Sequence, residues 1–276
     1  MDHPTAAPAR RLRHGALCYG TPAEFSAGVL DFVAEGVACG EAVLVAATGP
    51  GTQALRTQLD GTTGHVTWAD MTRSGSNPRR ITAALRAFAS EHRGQPLRWV
   101  QEPAWPAGPP GRLDEAIRHD ALINLALAAA PASILCAYDQ RLGGEVLASV
   151  RRTHPLLLHG GQWHRNGSYL ADVVIPADSE RPLPAPPADA ARLAYREDQA
   201  AVRQFAIEHA SAAGLSPDRV TDLVIAVGEL AANTLMHTRG PGILAMWAAG
   251  GEILCQTHDG GQISDPLAGS FRPDPV

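Results

Sequence analysis

Five prolines fall within twelve residues between Pro176 and Pro187, in the stretch Pro-Ala-Asp-Ser-Glu-Arg-Pro-Leu-Pro-Ala-Pro-Pro. Proline fixes φ and removes a backbone donor, so such a stretch stays extended and packs poorly. It divides the chain into residues 1–175, a linker at 176–187 and residues 188–276, and each flanking part has to build its own core.

Before the linker, buried runs alternate with helical periodicity. Thr21-Pro22-Ala23-Glu24 has the form of a helix cap and first turn, and Phe25, Val29, Phe32, Val33 and Val37 follow at helical spacing. The run Glu41 to Thr48, bounded by Gly40 and Gly49, fits a strand buried on both faces. Further strands are expected at Val66 to Ala69, Leu97 to Gln101 and Ser133 to Tyr138, with helices at Pro78 to His92, Leu113 to Ala129 and Gly144 to Thr153. This alternation predicts an α/β domain with a mostly parallel sheet and helices on both faces. After the linker the order changes to two helices, Glu197 to Ala212 and Pro217 to His237, then strands at Gly242 to Ala248 and Glu252 to His258. That order describes a smaller α+β layer.

Composition removes several chemistries. All 23 basic residues are arginine, so no Schiff-base lysine, pyridoxal phosphate anchor, Walker P-loop or eukaryotic-type kinase site can be built. A net charge of -5 provides no broad phosphate-neutralising stripe and argues against direct nucleic-acid binding. Arg10, Arg11, Arg13, Arg151 and Arg152 are expected on a solvated surface. Cys18, Cys39, Cys136 and Cys255 form no Cys-x-x-Cys pair, which suits free buried thiols in a reducing compartment. The apolar run from Ala121 to Tyr138 is interrupted by Asn124, Pro131 and Ser133, so it reads as a helix followed by a strand and not as a membrane span.

Two short motifs carry possible chemistry in the second part. In Gly228-Glu-Leu-Ala-Ala-Asn-Thr-Leu-Met-His237, residues Glu229, Asn233 and His237 drift only about 80° around a helix while rising about 12 Å, and so form one polar stripe. Leu223, Val224, Val227, Leu230 and Leu235 are expected to bury the other faces. An amide oxygen in such a stripe can bind a hard cation and a carboxylate can orient or deprotonate an attacking group; the same stripe also suits a plain solvated face. His258-Asp259-Gly260-Gly261 follows a strand and can set Asp259 beside a ligand, or can be an ordinary turn.

Together these motifs resemble the nucleotide site of the GHKL ATPases, and more closely their anti-sigma-factor serine kinase branch. That helix motif is Glu-Leu-x-x-Asn-x-x-x-His, matched by Glu229, Leu230, Asn233 and His237; the Asp-x-Gly-x-Gly box is matched by Asp259 and Gly261, with Ile263 in place of its last glycine. The resemblance implies ATP and Mg²⁺ as cofactors, with Asn233 holding Mg²⁺, Glu229 as general base, Asp259 receiving the adenine amine, and His237 and Gly261 completing the nucleotide site. The glycine-rich lid and second glycine box have no counterpart, so a C-terminally incomplete module is expected, with Arg239 or Arg272 aiding charge compensation. This favours regulation by binding over catalysis, and any catalysis would be of the serine-kinase type.

The first part resembles the MEDS sensory-domain family through His14-Gly-Ala-Leu-Cys18-Tyr19, Glu24-Phe25, Gly36, Gly40-Glu41-Ala-Val-Leu-Val, Asn77-Pro78-Arg79-Arg80-Ile81 and Arg152-Thr153-His154-Pro155. The resemblance implies a RecA-like three-layer layout. Gly49-Pro50-Gly51-Thr52 lacks a P-loop lysine and reads as a strand-to-helix turn. His14 and Cys18, four apart, would share a face of either a helix or an edge strand and are candidate sensory ligands, or else a structural histidine beside a buried cysteine. His154, His159 and His164 recur every five residues, which fits neither period, and are expected at the surface.

The combined resemblance implies a cytoplasmic signalling and transcription-regulatory protein in which a sensory domain, responding to an unidentified small molecule, controls a module that binds a sigma factor or an anti-sigma-factor antagonist. Neither nucleic acid nor membrane is an expected partner, and a homodimer is compatible with the pattern. The alternative is a non-enzymatic small-molecule or cofactor sensor whose C-terminal part is a vestigial docking or dimerisation piece.

Overall fold

The computed structural model describes residues 11–47, 49–59, 66–70, 78–102, 112–170, 183–238, 240–263 and 265–268. Asn77, the linker residues 176–182, Arg239 and Arg272 lie outside them. The chain divides into two compact units, with the change at Arg181 and Pro182.

The first unit is built on a seven-stranded sheet in the order β3-β2-β4-β5-β1-β6-β7. Its strands are β1 (Arg13–Tyr19), β2 (Ala42–Ala47), β3 (Val66–Asp70), β4 (Leu97–Gln101), β5 (Ala132–Asp139), β6 (Leu156–His159) and β7 (Gln162–Arg165). All pairings are parallel except the β6–β7 hairpin, which turns through Gly160 and Gly161 at φ 55° and 75°. A two-residue hairpin turn with positive φ at both positions suits glycine. The helices are α1 (Pro22–Ala38), α2 (Gly49–Gln58), α3 (Pro78–Glu91), α4 (Arg112–Ala126) and α5 (Gly144–Thr153).

Helices cover both faces of this sheet, which is why β2 and β4 are buried at every residue. On one face Leu44, Trp99, Ile134 and Tyr138 pack with Leu85 and Phe88 of α3, Ile123 of α4 and Val150 of α5. On the other, Val43, Val45, Val100 and Leu135 pack with Phe25, Val29, Phe32 and Val33 of α1 and Leu55 of α2. The α1 start is set locally: Thr21 Oγ1 accepts from the Glu24 amide at 3.2 Å, Pro22 supplies the first turn, and the Glu24 carboxylate returns to the Gly20 amide at 2.7 Å.

The expected alternation is present, but β1 was not expected in the sheet interior. It lies between β5 and β6, away from the edge. The hairpin β6–β7 and helix α2 add to the expected elements, and Gly49-Pro50-Gly51-Thr52 opens α2.

The second unit contains β8 (Ala191–Tyr195), α6 (Gln199–Ala212), α7 (Pro217–His237), β9 (Gly242–Ala249) and β10 (Glu252–His258). Its sheet is antiparallel in the order β10-β9-β8, and Val202 and Ala206 of α6 with Val227 and Ala231 of α7 pack on Tyr195, Leu244 and Met246. The inward row of α7 is Val227, Ala231 and Thr234, while Leu230 stands 42% exposed. Its helical angle puts it at the rim beside His237, not in the core as expected. Strand β8 completes a sheet for which only two strands were anticipated.

Among the described residues no helix is long and apolar enough to cross a membrane.

Candidate functional sites

Polar side chains gather under α4 and α5 in the first unit. Cross-strand register sets Gln101, Cys136 and Ala16 in one row and Trp99, Ile134 and His14 in the row before it. Ala16 is small enough to let the His14 ring lean across, and His14 Nε2 lies 3.3 Å from Cys136 Sγ. His154, the residue that closes α5, packs its ring against that of His14 at a tilt of 49°, with centroids 4.3 Å apart. His14, Cys136 and His154 are all fully buried, and their ligand atoms lie within 4.8 Å of one another.

Asn124 of α4 organises this cluster. Its Nδ2 donates to the Thr153 carbonyl at 2.8 Å and faces those of Asp120 and Ala121, so its Oδ1 accepts the His14 Nδ1 proton at 3.0 Å. His154 Nδ1 donates to the Val150 carbonyl at 2.8 Å. Both rings therefore carry Nδ1 protons and turn Nε2 lone pairs inward. Cys136 donates its thiol proton to His14 and receives the Gln101 amide at 3.1 Å, and Tyr138 donates to Asp120 at 2.7 Å.

Desolvation dominates the titration of these groups. It pulls His14 down to about 4, His119 down to about 3 and His154 well below the ordinary imidazole value, so these rings are neutral. The same burial pushes Asp120 up to about 7 and the Cys136 thiol well above its ordinary value.

Of the sequence candidates, His14 joins the cluster and Cys18 does not. Cys18 shares the face of β1, but four strand residues span about 13 Å, too far for a common ion. His154 is buried where a surface position was expected, because it ends α5 against the sheet; His159 and His164 are exposed on the hairpin. Cys136 is the fully buried cysteine, and Cys18, Cys39 and Cys255 are half-buried and in no disulfide. Cys136 and His154 lie 122 and 140 positions from His14, so no local spacing links them. The signal available in sequence was indirect: His14 and His154 each sit in a motif of the same resemblance.

The opposite face buries Arg98, which sequence reading did not single out. Its guanidinium donates to Glu41 at 2.5 Å, Glu35 at 2.6 Å and the Phe32 carbonyl at 2.8 Å, and its stem lies against Gly36, where a Cβ would collide with it. At the carboxyl end of β1, the Glu24 carboxylate accepts from the Gly20 amide just ahead of α1.

In the second unit Glu229, Asn233 and His237 are exposed along α7. Asp259, just past β10, accepts from Thr234 Oγ1 at 2.7 Å and from the Gly261 amide at 2.8 Å, while the Tyr195 hydroxyl donates to Thr234 at 3.1 Å. Thr234, one residue from Asn233, thus ties the strand-end carboxylate to the helix that bears the stripe. Ile263 is exposed.

These features define the first unit as a three-layer α/β domain whose polar groups turn into its core. The family model described as "MEDS: MEthanogen/methylotroph, DcmR Sensory domain" matches residues 13–155, more than half of the chain, and the chain belongs to the MEDS family. The matched span includes His14, Cys136 and His154, and the family description gives this unit a sensory role in signalling. No curated protein matches the chain.

Proposed function

We propose that the protein is a cytoplasmic signalling protein in which the MEDS domain controls an anti-sigma-type, ATP-binding second unit. The observation that carries this reading is the Tyr195–Thr234–Asp259 hydrogen-bonded chain, which anchors a strand-end carboxylate to the helix bearing Glu229 and Asn233. A carboxylate fixed by one hydroxyl and one amide keeps acceptor capacity for an exocyclic amine, as an adenine site requires. Asn233 offers its amide oxygen to Mg²⁺, and Glu229, one turn away and exposed, can take a proton from an incoming hydroxyl. His237 extends the stripe and Gly261 brings its backbone close to Asp259. Bound ATP would supply a transferable phosphoryl group; regulation of a sigma factor or its antagonist by binding is the mode this reading favours.

The test is calorimetric titration of Mg²⁺-ATP into the full chain beside Asn233→Ala and Asp259→Asn. Saturable binding lost in both variants is expected. Absence of heat at millimolar ATP rejects the reading and favours the second one, a sensor whose second unit docks a partner. The exposure of Leu230 at 42% and Met236 at 71% beside the stripe supports that alternative. In that case the sensory response survives Asn233→Ala.

A further inference from the structure

The cluster of His14, Cys136 and His154 is more than a satisfied core. Burying polar side chains is costly unless their hydrogen bonds are made well. The His154 Nε2 lone pair is met at 3.4 Å by the Tyr138 hydroxyl, whose single proton is already engaged at 2.7 Å by Asp120. Both imidazoles have the outer nitrogen fixed by an oxygen, Asn124 Oδ1 for His14 and the Val150 carbonyl for His154. This is how metal-ligating histidines are held: the second-shell oxygen sets the tautomer and presents the inner lone pair.

We propose that His14 Nε2, His154 Nε2 and Cys136 Sγ form a buried site for one thiolate-accepting transition-metal ion, with Zn²⁺ as the first choice. The site stands on these donors alone and does not depend on the nucleotide reading of the second unit. Zinc bonds of about 2.3 Å to sulfur and 2.0–2.1 Å to nitrogen put tetrahedral donors about 3.3–3.6 Å apart. His14 Nε2 and Cys136 Sγ already stand at 3.3 Å, and all three donors are within 4.8 Å, so side-chain shifts of about 1 Å close the set.

Cys136 loses its thiol proton to solvent as the sulfur–metal bond forms, while both rings keep their Nδ1 protons, so one proton leaves per ion. The thiolate supplies one negative charge against the dication, and the Tyr138 hydroxyl links the site to Asp120. The Gln101 amide at 3.1 Å supports the thiolate, and the Tyr138 hydroxyl is within reach of a fourth position. One thiolate with two imidazoles selects zinc or copper over Mg²⁺ and Ca²⁺.

The full chain, stripped with chelator and tested both folded and after refolding with metal, is titrated with Zn²⁺ against a chromophoric chelator and with Co²⁺ by absorbance. One ion per chain and one released proton are expected, with no competition from Mg²⁺. A thiolate-to-cobalt charge-transfer band is expected to persist in the Cys18→Ser, Cys39→Ser, Cys255→Ser triple variant, where Cys136 is the remaining thiol. Cys136→Ser and His154→Gln are expected to weaken zinc binding at least about tenfold. The proposal is overturned by the lack of a thiolate band in the triple variant under both conditions, or by zinc affinity unchanged in Cys136→Ser. Because the triple variant leaves the cluster intact, misfolding of a core variant does not blur the outcome. Mg²⁺-ATP binding is read on the same samples, so failure of either reading is seen separately.

Discussion

Each unit of this protein carries a constellation of histidine, amide and acid, but under opposite conditions. In the first, His14, Cys136 and His154 are fully buried, with fixed partners on three helices and strands. In the second, Glu229, Asn233 and His237 stand in solvent along α7. Burial makes every unpaired polar atom costly, so the inner set has to be justified by what it holds or by how it is paired. An exposed stripe carries no such cost, and its purpose shows only through what lies beside it, here the anchored Asp259.

The largest effect expected from testing this contrast comes from the buried ion pair on the other face of the first sheet. Arg98→Met leaves Glu41, whose side chain is 1% exposed, without its partner. Removing one member of such a pair costs about 3–5 kcal/mol, to be read by urea denaturation in a Trp247→Phe background so that tryptophan fluorescence reports the first unit. A loss below about 1 kcal/mol would mean that the pair behaves like a surface one.

Acid should separate the units next. The unfolded chain protonates its histidines near 6.5, whereas folded His14 and His119 resist protonation down to about 4 and about 3, and burial holds His154 well below the ordinary imidazole value. Below 6.5 the unfolded state therefore binds more protons, and stability falls with pH by about 1.4 kcal/mol per unit for each net proton. Asp120 acts in the opposite sense: raised from 3.8 to about 7, its folded form holds a proton that the unfolded chain has lost, and its contribution declines as pH rises through that window. Three rings outweigh one carboxyl, so amide hydrogen exchange at pH 5 should show the first unit loosened. Equal protection at pH 5 and 7 would contradict neutral buried rings.

How far the contrast could be read in sequence follows from the range of the interactions. The linker prolines, the Thr21–Glu24 cap and the strand runs at Ala42 and Leu97 are local, so elements appeared near their observed places. The positions of β1 and β8 depend on pairing with residues more than forty positions away, and neither could be found from periodicity. The stripe on α7 was legible because helical spacing alone creates it. The inner cluster was half legible: His14 was singled out, but Cys18 was matched with it by sequence proximity, whereas parallel register brings Cys136 across from β5. His154 looked like a surface residue because a five-residue period ignores the helix end that buries it.

Asn124→Ala tests the organiser of the inner cluster. It strands the His14 Nδ1 proton and the Thr153 carbonyl, buried groups that each cost about 1–3 kcal/mol when unpaired. A first-unit loss on the order of 2 kcal/mol is expected by denaturant titration, with partial recovery in Asn124→Asp, which restores an acceptor for His14. Full recovery in Asn124→Leu would show that shape, and not the hydrogen bond, matters at this position.

The smallest effect on stability should fall where the proposed functional effect is largest. Glu229→Ala and Asn233→Ala each remove an exposed side chain from a helix whose inward row is Val227, Ala231 and Thr234, and alanine is the better helix former. Both should leave stability within about 0.5 kcal/mol of the parent, while Asn233→Ala also removes Mg²⁺-ATP binding. Thr234→Val, one residue further along, is the internal control: it deprives Asp259 of its donor and Tyr195 of its acceptor, and should cost about 1 kcal/mol. Thermal melts of the three variants decide the matter. If Asn233→Ala destabilises as much as Thr234→Val, the stripe is part of the scaffold, and the difference between an inner set held by packing and an outer set left for a ligand disappears.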